Sequence, residues 1–176
     1  MTDVAFETTE PKPARVPPPR PDGLDHPIVP KVLRLMSRFN VWIYRLTGGI
    51  IGGKWRIGAA FPWGAPLALL TTTGRKSGLR RTAPLIYGRD GDRIVFIASQ
   101  GGLPKNPLWY RNLVSHPDVD VQVGRDRRAY TARIASGEER TRLWRMMCGV
   151  YADYDTYQAW TEREIPVVVC EPKAER

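Results

Sequence analysis

The sequence predicts an α+β protein built around an antiparallel β-barrel. Its β-rich segments come in adjacent pairs joined by short turns that contain glycine, and such hairpins favour antiparallel pairing. Two hairpins follow this pattern: 81–87 with 93–98 around Asp90 and Gly91, and 119–123 with 128–135 around 124–126. Helical segments are inserted between the hairpins and do not follow every strand, which argues against a parallel sheet.

The N-terminal part is predicted to hold a tail and one helix. Residues 1–30 contain 8 of the 16 prolines and few large apolar groups, so they are expected to be disordered or extended. Residues 31–46 then show helical spacing, with apolar residues on one side and cations on an adjacent stripe. Two interpretations stay open: a helix packed on the domain, or a basic amphipathic helix that covers a site or meets a membrane surface.

The remaining elements follow from local signals. Six glycines make residues 48–64 an irregular connection, and strands are expected over 67–73 and 165–170. A helix over 107–115 is expected to have Asn106 as its cap and Pro107 at its first position. A helix over 137–148 is expected to open on a capping box formed by Ser136 and Glu139. Residues 31–176 are assigned to a single domain.

Composition narrows the functional classes. The formal net charge is +9, but residues 1–47 hold 7 basic and 5 acidic side chains, so the charge is not concentrated in a tail. Because no nucleic-acid-binding motif is present either, binding to nucleic acid is not expected. His26 and His116 have no ligand partners near them in sequence, so no metal site is expected. No serine lies in a hydrolase motif, which argues against a Ser-His-Asp hydrolase.

The chain is expected to be cytoplasmic. Cys148 and Cys170 belong to no paired motif, and both are predicted to be buried thiols in a reducing compartment. The polar, proline-rich first 30 residues do not resemble a signal peptide. No apolar run reaches the roughly 20 residues that span a bilayer.

A turn rich in cations follows the 67–73 strand. Gly74 and Gly78 enclose Arg75, Lys76 and Ser77, and Arg80 and Arg81 follow after Leu79. These four cations repel one another unless carboxylates or a bound anion offset their charge. Two interpretations stay open, namely a solvated hairpin tip and a binding site for a phosphorylated ligand.

A second cluster is aromatic. Tyr151, Tyr154 and Tyr157 are spaced by three residues, with Trp160 three further on, which places them along one face of a helix. Core packing is one interpretation. The other is the wall of a cavity for a flat, redox-active substrate, because buried tyrosine hydroxyls need partners.

Together these segments resemble the deazaflavin-dependent nitroreductase family of actinobacteria. The resemblance covers residues 36–172 and depends on five segments: 69–78, 98–102, 105–113, 151–157 and 165–172. It implies a split β-barrel, as in flavin reductases and pyridoxamine-phosphate oxidases, that binds the deazaflavin coenzyme F420. The activity that the resemblance implies is hydride transfer from reduced F420 to a quinone-like, enone or nitroaromatic acceptor.

The resemblance also implies site residues by position. The phosphate and acidic tail of the coenzyme would be held by Arg75, Lys76, Ser77, Gly78 and Arg81. The deazaflavin ring would be lined by Ala98, Ser99 and Gln100, with Lys105, Asn106, Pro107 and Trp109 completing its pocket. The substrate wall would be formed by Tyr151, Tyr154 and Tyr157. Ser99 and Tyr151 would polarise or protonate the acceptor.

Two positions depart from the family pattern. Gln100 stands where the nitroimidazole-activating member of the family has a lysine, and Ile86 stands where it has a tyrosine. Since residues around the ring and the substrate pocket set the pose of the acceptor, efficient turnover of nitroimidazoles is not expected. A quinone is the expected acceptor. Three alternatives stay open: a flavin nucleotide in the same barrel, a non-catalytic carrier of F420, and a module that contacts an anionic membrane.

Overall fold

Six antiparallel strands close into a barrel in the computed structural model, which describes residues 19, 41–42, 44–49, 53–55, 62 and 64–173. The barrel strands are β2 (Ala65–Thr73), β3 (Arg80–Asp90), β4 (Arg93–Ile97), β5 (Asp118–Val123), β6 (Asp126–Ile134) and β7 (Val167–Pro172), and a short strand β1 (Lys54–Trp55) pairs with β2 beside them. Their order is β1-β2-β3-β4-β7-β6-β5, and pairing of β2 with β5 closes the barrel. The predicted antiparallel α+β barrel is therefore confirmed.

Helices α1 (Leu108–Ser115), α2 (Gly137–Val150) and α3 (Asp153–Ala159) flank the barrel, and a 3-10 turn covers Gln100–Gly102. Residues 41–42 and 44–47 are also helical and overlap the predicted N-terminal helix. The rest of that helix, His26 and the predicted tail apart from Pro19 lie outside the described residues.

The core has two layers because the central strands are buried on both faces. Side chains alternate along β4: Ile94 and Phe96 belong to the cluster inside the barrel, whereas Val95 and Ile97 belong to the cluster beneath α2. Leu113 of α1 joins the interior cluster. Burial on both faces explains why these strands read as continuous apolar runs.

The first hairpin is longer than predicted. Strand β3 continues through Gly88 to Asp90, and the turn is Gly91 and Asp92. Gly88 is buried, and a Cβ there would lie 2.6 Å from Met147 Sδ on α2. The glycine interpreted as part of a loop is therefore a strand residue that lets α2 approach the sheet.

The predicted side-chain caps of the helices over 107–115 and 137–148 are wrong, because neither capping hydrogen bond is formed. Pro107 occupies the cap position of α1, and no side chain caps this helix. Asn106 instead accepts a hydrogen bond from Arg163. Ser136 does precede α2, but it makes no capping hydrogen bond, and the Glu139 carboxylate is bound instead by arginines on neighbouring strands.

The connection before β2 is partly ordered by pairing. Lys54 and Trp55 form a short strand against Ala65 and Pro66 in a segment predicted to be irregular. Tyr44, only 1% exposed, ties the N-terminal helical residues to the barrel. Its hydroxyl donates to Leu67 O at 3.0 Å and accepts from Gly124 N at 2.8 Å.

Candidate functional site

The cation-rich turn joins β2 to β3. It is closed by backbone bonds from Gly74 N to Leu79 O (2.8 Å) and from Gly78 N to Gly74 O (2.7 Å). Gly78 has φ of +66°, which L-residues rarely adopt, so glycine suits this position. Lys76 is exposed and Arg75 is half-buried. The turn is compact, and its cations project from a fixed backbone.

Asn112 on α1 holds this turn through two side-chain hydrogen bonds. Its Oδ1 accepts from Arg75 N and its Nδ2 donates to Thr72 Oγ1, both at 3.2 Å. Asn112 is only 9% exposed, so both ends of the amide are used where water is scarce. The amide couples the position of Arg75 to α1.

The cations of the turn differ in their partners. Arg80 is paired with Asp120, which also binds Arg127. Within the described part of the chain, Arg75, Lys76 and Arg81 form no ion pair. Asp120 thus offsets the charge of Arg80, and the other three cations are available to bind an anionic ligand.

A second segment, residues 98–107, runs from the end of β4 to α1. Ser99 is 9% exposed, Pro107 is buried, and Lys105 is exposed. Its backbone contains consecutive left-handed residues, with φ of +49° at Gln100 and +72° at Gly102. A non-glycine residue in this region is strained, and such strain is common at ligand sites.

Gly102 brings the segment against α3. A Cβ at this position would lie 2.8 Å from Tyr157 O and 3.1 Å from Trp160 Cβ. The glycine is therefore needed both for its positive φ and for the close approach. It places the predicted ring-binding segment next to the aromatic cluster.

The four aromatic rings form a contiguous cluster, although not on one helix. Tyr151 follows the last residue of α2, Tyr154 and Tyr157 lie on α3, and Trp160 follows that helix. Ring centroids are 5.2 Å apart for Tyr151 and Tyr154, and 5.6 Å apart for Tyr157 and Trp160. Tyr151 (3% exposed) and Tyr154 (4% exposed) both belong to the core cluster and Tyr157 packs against it, so core packing holds for these rings.

Two tyrosine hydroxyls in the cluster meet. Tyr151 Oη and Tyr157 Oη are 3.1 Å apart. Burial raises the pKa of Tyr151, and its hydrogen bond with Tyr157 raises it further. Burial also raises the pKa of Tyr157. Both groups are therefore neutral at physiological pH and can donate a proton in a hydrogen bond.

Helix α1 links the two predicted cofactor-binding segments. Its N-terminus continues the 98–107 segment, and Asn112 contacts the cation-rich turn. An open cleft of about 400 Å³ is lined by Lys105, Asn106 and Arg111. Trp109 does not line this cleft, because its ring packs edge-to-face with Phe96 in the barrel.

A larger cleft lies elsewhere. It measures about 690 Å³ and is lined by residues at the start of α2, including Glu138, Arg142 and Arg145. None of the predicted site residues lines it, and it is shallow and open to solvent. We assign no role to it.

Sequence reasoning missed two residues that organise the site. They are Asn112, which fixes the cation-rich turn, and Arg163, which binds the 98–107 segment. Asn112 faces the barrel from an amphipathic helix where an apolar residue is expected, which is a usable signal. Arg163 lies between Glu162 and Glu164 in an unremarkable polar run, and only the tertiary structure shows its role.

Comparison with known proteins identifies the family. A family model described as F420H(2)-dependent quinone reductase matches residues 36–172. The chain belongs to this family.

Individual members are clearly similar. The F420H(2)-dependent quinone reductase Rv1261c of Mycobacterium tuberculosis is 43% identical over 137 residues, covering 76% of this chain and 88% of its own. Rv3178 of the same organism, provisionally given the same description, is 46% identical over 67% of this chain and 99% of its own. A solved F420-H2 dependent reductase (FDR-A) is 42% identical with a TM-score of 0.58, covering 60% of this chain and 94% of its own.

Membership of the F420H(2)-dependent quinone reductase family confirms the resemblance to F420-dependent enzymes and the split-barrel fold. The chain is an oxidoreductase, and coenzyme F420 is the cofactor of its family. The three cations without ion pairs fit a phosphorylated, polyanionic coenzyme. Among the described residues, no cluster of histidine, cysteine and carboxylate side chains is suited to a metal ion.

The fold by itself does not fix the ligand. A heme-binding protein of Mycobacterium smegmatis shares the fold with a TM-score of 0.51, covering 68% of this chain and 53% of its own. It is only 17% identical, so the likeness concerns architecture alone.

In the part of the chain that the structure describes, no helix has the length and apolar content needed to cross a membrane.

Proposed function

We propose that this protein is an F420H2-dependent reductase that transfers a hydride to a quinone-like acceptor. One observation carries the proposal: a turn closed by backbone hydrogen bonds and the adjoining start of β3 carry Arg75, Lys76 and Arg81, which form no ion pair among the described residues. Helix α1 links this turn to a strained segment that packs on the tyrosine cluster. The names of its relatives favour a quinone. The departures at Gln100 and Ile86 argue against efficient turnover of nitroimidazoles.

The side chains of the turn supply binding. Arg75, Lys76 and Arg81 provide fixed positive charge for the phosphate and glutamate tail, and Ser77 and Gly78 complete the loop. Fixed charges on a closed turn need little reorganisation when the coenzyme binds. A flavin nucleotide carries fewer anionic groups than the tail of F420, so it would form fewer ion pairs with these cations.

The 98–107 segment and the tyrosines supply orientation. Ala98, Ser99 and Gln100 would line the ring, with Lys105, Asn106, Pro107 and Trp109 around them. When bound, the reduced coenzyme supplies a hydride from its ring C5. Ser99 and Tyr151 would donate hydrogen bonds to the oxygen of the acceptor as negative charge develops on it. Tyr154 and Tyr157 would hold the acceptor in place.

The decisive experiment is oxidation of reduced F420 with menadione as acceptor, followed by absorbance. Lys76→Ala is compared with Lys173→Ala, which removes the same charge from a lysine that pairs with Asp118 at 2.7 Å. We expect rapid turnover, with the coenzyme KM raised about tenfold or more only in Lys76→Ala.

Other outcomes would contradict the proposal. Tight coenzyme binding without turnover on any quinone, enone or nitro compound would indicate a carrier. Purification with a yellow flavin bound would indicate a flavin reductase. Unchanged kcat and kcat/KM in Ser99→Ala would remove Ser99 from the mechanism.

A cytoplasmic enzyme that reduces a lipid-soluble quinone has reason to contact an anionic membrane, and such peripheral contact stays a prediction. Two exposed apolar side chains, four residues apart in the N-terminal helical residues, support this prediction. Trp42 is 60% exposed and Leu46 is 71% exposed.

A further inference from the structure

Arg163 makes an unusual set of contacts behind the 98–107 segment. Its Nε donates to Leu103 O at 2.9 Å, and its Nη1 donates to Asn106 Oδ1 at 2.7 Å. Its Nη2 donates to Ala98 O at 3.1 Å and to Ser99 O at 2.8 Å. One planar group thus bridges the start and the end of the segment.

All four acceptors are neutral. No carboxylate among the described residues forms an ion pair with Arg163, whereas neighbouring Glu164 pairs with Arg140. Burial lowers the pKa of Arg163 below its ordinary value, but an arginine remains charged. A positive charge without a counter-ion therefore lies directly behind this segment.

Through the two carbonyls that it binds, the charge of Arg163 acts on the N–H groups on the opposite side of the backbone. The Ala98 carbonyl shares a peptide unit with the N–H of Ser99, and the Ser99 carbonyl shares one with the N–H of Gln100. In a trans peptide the C=O and N–H point in opposite directions. Both N–H groups therefore point away from Arg163, and a charge-assisted bond at the carbonyl makes each of them a stronger donor.

The guanidinium also accounts for the strained backbone. Gln100 has a φ of +49° and follows directly after the two bonded carbonyls. A strained residue persists only where its surroundings over-determine it. The two bonds from Nη2, with the bonds to Leu103 and Asn106, provide that restraint.

We propose that Arg163 is the positioning residue of the coenzyme pocket, holding segment 98–106 so that the N–H groups of Ser99 and Gln100 face the bound ring. This inference rests on the proposed function, because it takes the ring of F420 to lie against that segment. Arg163 acts through the backbone and does not itself touch the coenzyme.

The first test uses the protein without coenzyme. Amide hydrogen exchange is measured for the wild type, Arg163→Lys and Arg163→Gln. The control is Arg140→Gln, which removes a guanidinium that donates to Ile165 O at 3.2 Å and does not contact the segment. We expect both Arg163 variants to lose protection over 98–106 while the barrel strands keep theirs, and the control to keep both. Unchanged exchange over 98–106 would overturn the proposal.

The second test measures binding of oxidised F420 by the same variants. We expect the dissociation constant to rise about tenfold or more in Arg163→Gln, since several charged hydrogen bonds are lost. Arg163→Lys is expected to recover only part of the affinity, because an ammonium group cannot reproduce the planar fork. Affinity within about twofold of the wild type in Arg163→Gln, or full rescue by lysine, would overturn the positioning role.

The two tests separate this inference from the proposed function. A wild-type protein that does not bind F420 overturns the proposed function and the assignment to a coenzyme pocket. Hydrogen exchange then still decides whether Arg163 organises the segment.

Discussion

Tyr151 and Tyr157 show how burial sets chemistry at the scale of single residues. Their hydroxyls are 3.1 Å apart in a cluster of aromatic rings, and burial raises the pKa of each. A tyrosine with a raised pKa stays protonated over the working range of an enzyme. In the proposed reaction Tyr151 therefore acts as a hydrogen-bond donor whose state does not change with pH.

We predict that Tyr151→Phe lowers kcat about tenfold and leaves the coenzyme KM unchanged, because only a hydrogen bond to the acceptor is lost. The pH profile of the wild type should show no ionisation of this group between about pH 6 and 9. Steady-state kinetics across that range test both statements. Tyr154→Phe is the control, since Tyr154 lies in the same core cluster and is not assigned a hydrogen bond to the acceptor. An equal loss in the two variants would attribute the effect to packing.

At the scale of elements, the eight-residue helix α1 contacts both segments that are proposed to bind the coenzyme. Its N-terminus continues the 98–107 segment, Leu113 fills the barrel interior, and Asn112 binds the backbone of the cation-rich turn. A short helix therefore sets the distance between the proposed ring and phosphate subsites. Neither subsite can move without disturbing the packing of α1.

We predict that Asn112→Ala weakens coenzyme binding about threefold to tenfold although it removes no charge, because Arg75 loses its anchor. Thr72→Val is the matched control, since it removes the other partner of the same amide and keeps the bond to Arg75 N. Coenzyme titration measures both variants. A weaker effect in Asn112→Ala than in Thr72→Val would contradict the anchoring role.

At the scale of the whole molecule, ion pairs join α2 to the barrel strands. Arg133 on β6 donates to Glu139 at 2.6 and 2.8 Å and to Glu171 at 2.8 Å. Arg142 on α2 binds Asp90 on the β3–β4 hairpin at 2.7 Å. The hydrogen bond from Arg133 holds the pKa of Glu139 below its ordinary 4.5, and the bond from Arg142 lowers that of Asp90.

A carboxyl whose pKa is lower in the folded state stabilises the fold above its unfolded pKa. That stabilisation is lost as the pH falls through the folded-state value. We therefore predict that stability declines below about pH 4.5 and that Glu139→Gln makes this decline shallower. Urea midpoints measured from neutral to acid pH test the prediction. Glu138→Gln is the control, because Glu138 forms no ion pair in the described structure; an equally shallow decline in this variant would refute the role of Glu139.

The sequence by itself determined the fold class, the family and the order of the main elements, but not the short strand β1. Hairpin turns, β-rich apolar segments and the cation-rich turn are local patterns, and local patterns specify local structure. The same signals located the segments proposed to bind the coenzyme. They failed at the caps of α1 and α2, where Asn106 and Glu139 have the capping residue types but bind arginines distant in sequence.

Only the tertiary structure decided which polar groups meet. Arg163 is 57 residues from Asn106 and Asn112 is 37 residues from Arg75, and no local pattern pairs them. The tertiary structure also placed Tyr151 and Tyr154 in the core and joined the hydroxyls of Tyr151 and Tyr157. The physical reason is that a hydrogen bond depends on distance and direction in space, which the closure of the barrel and the packing of its helices fix together.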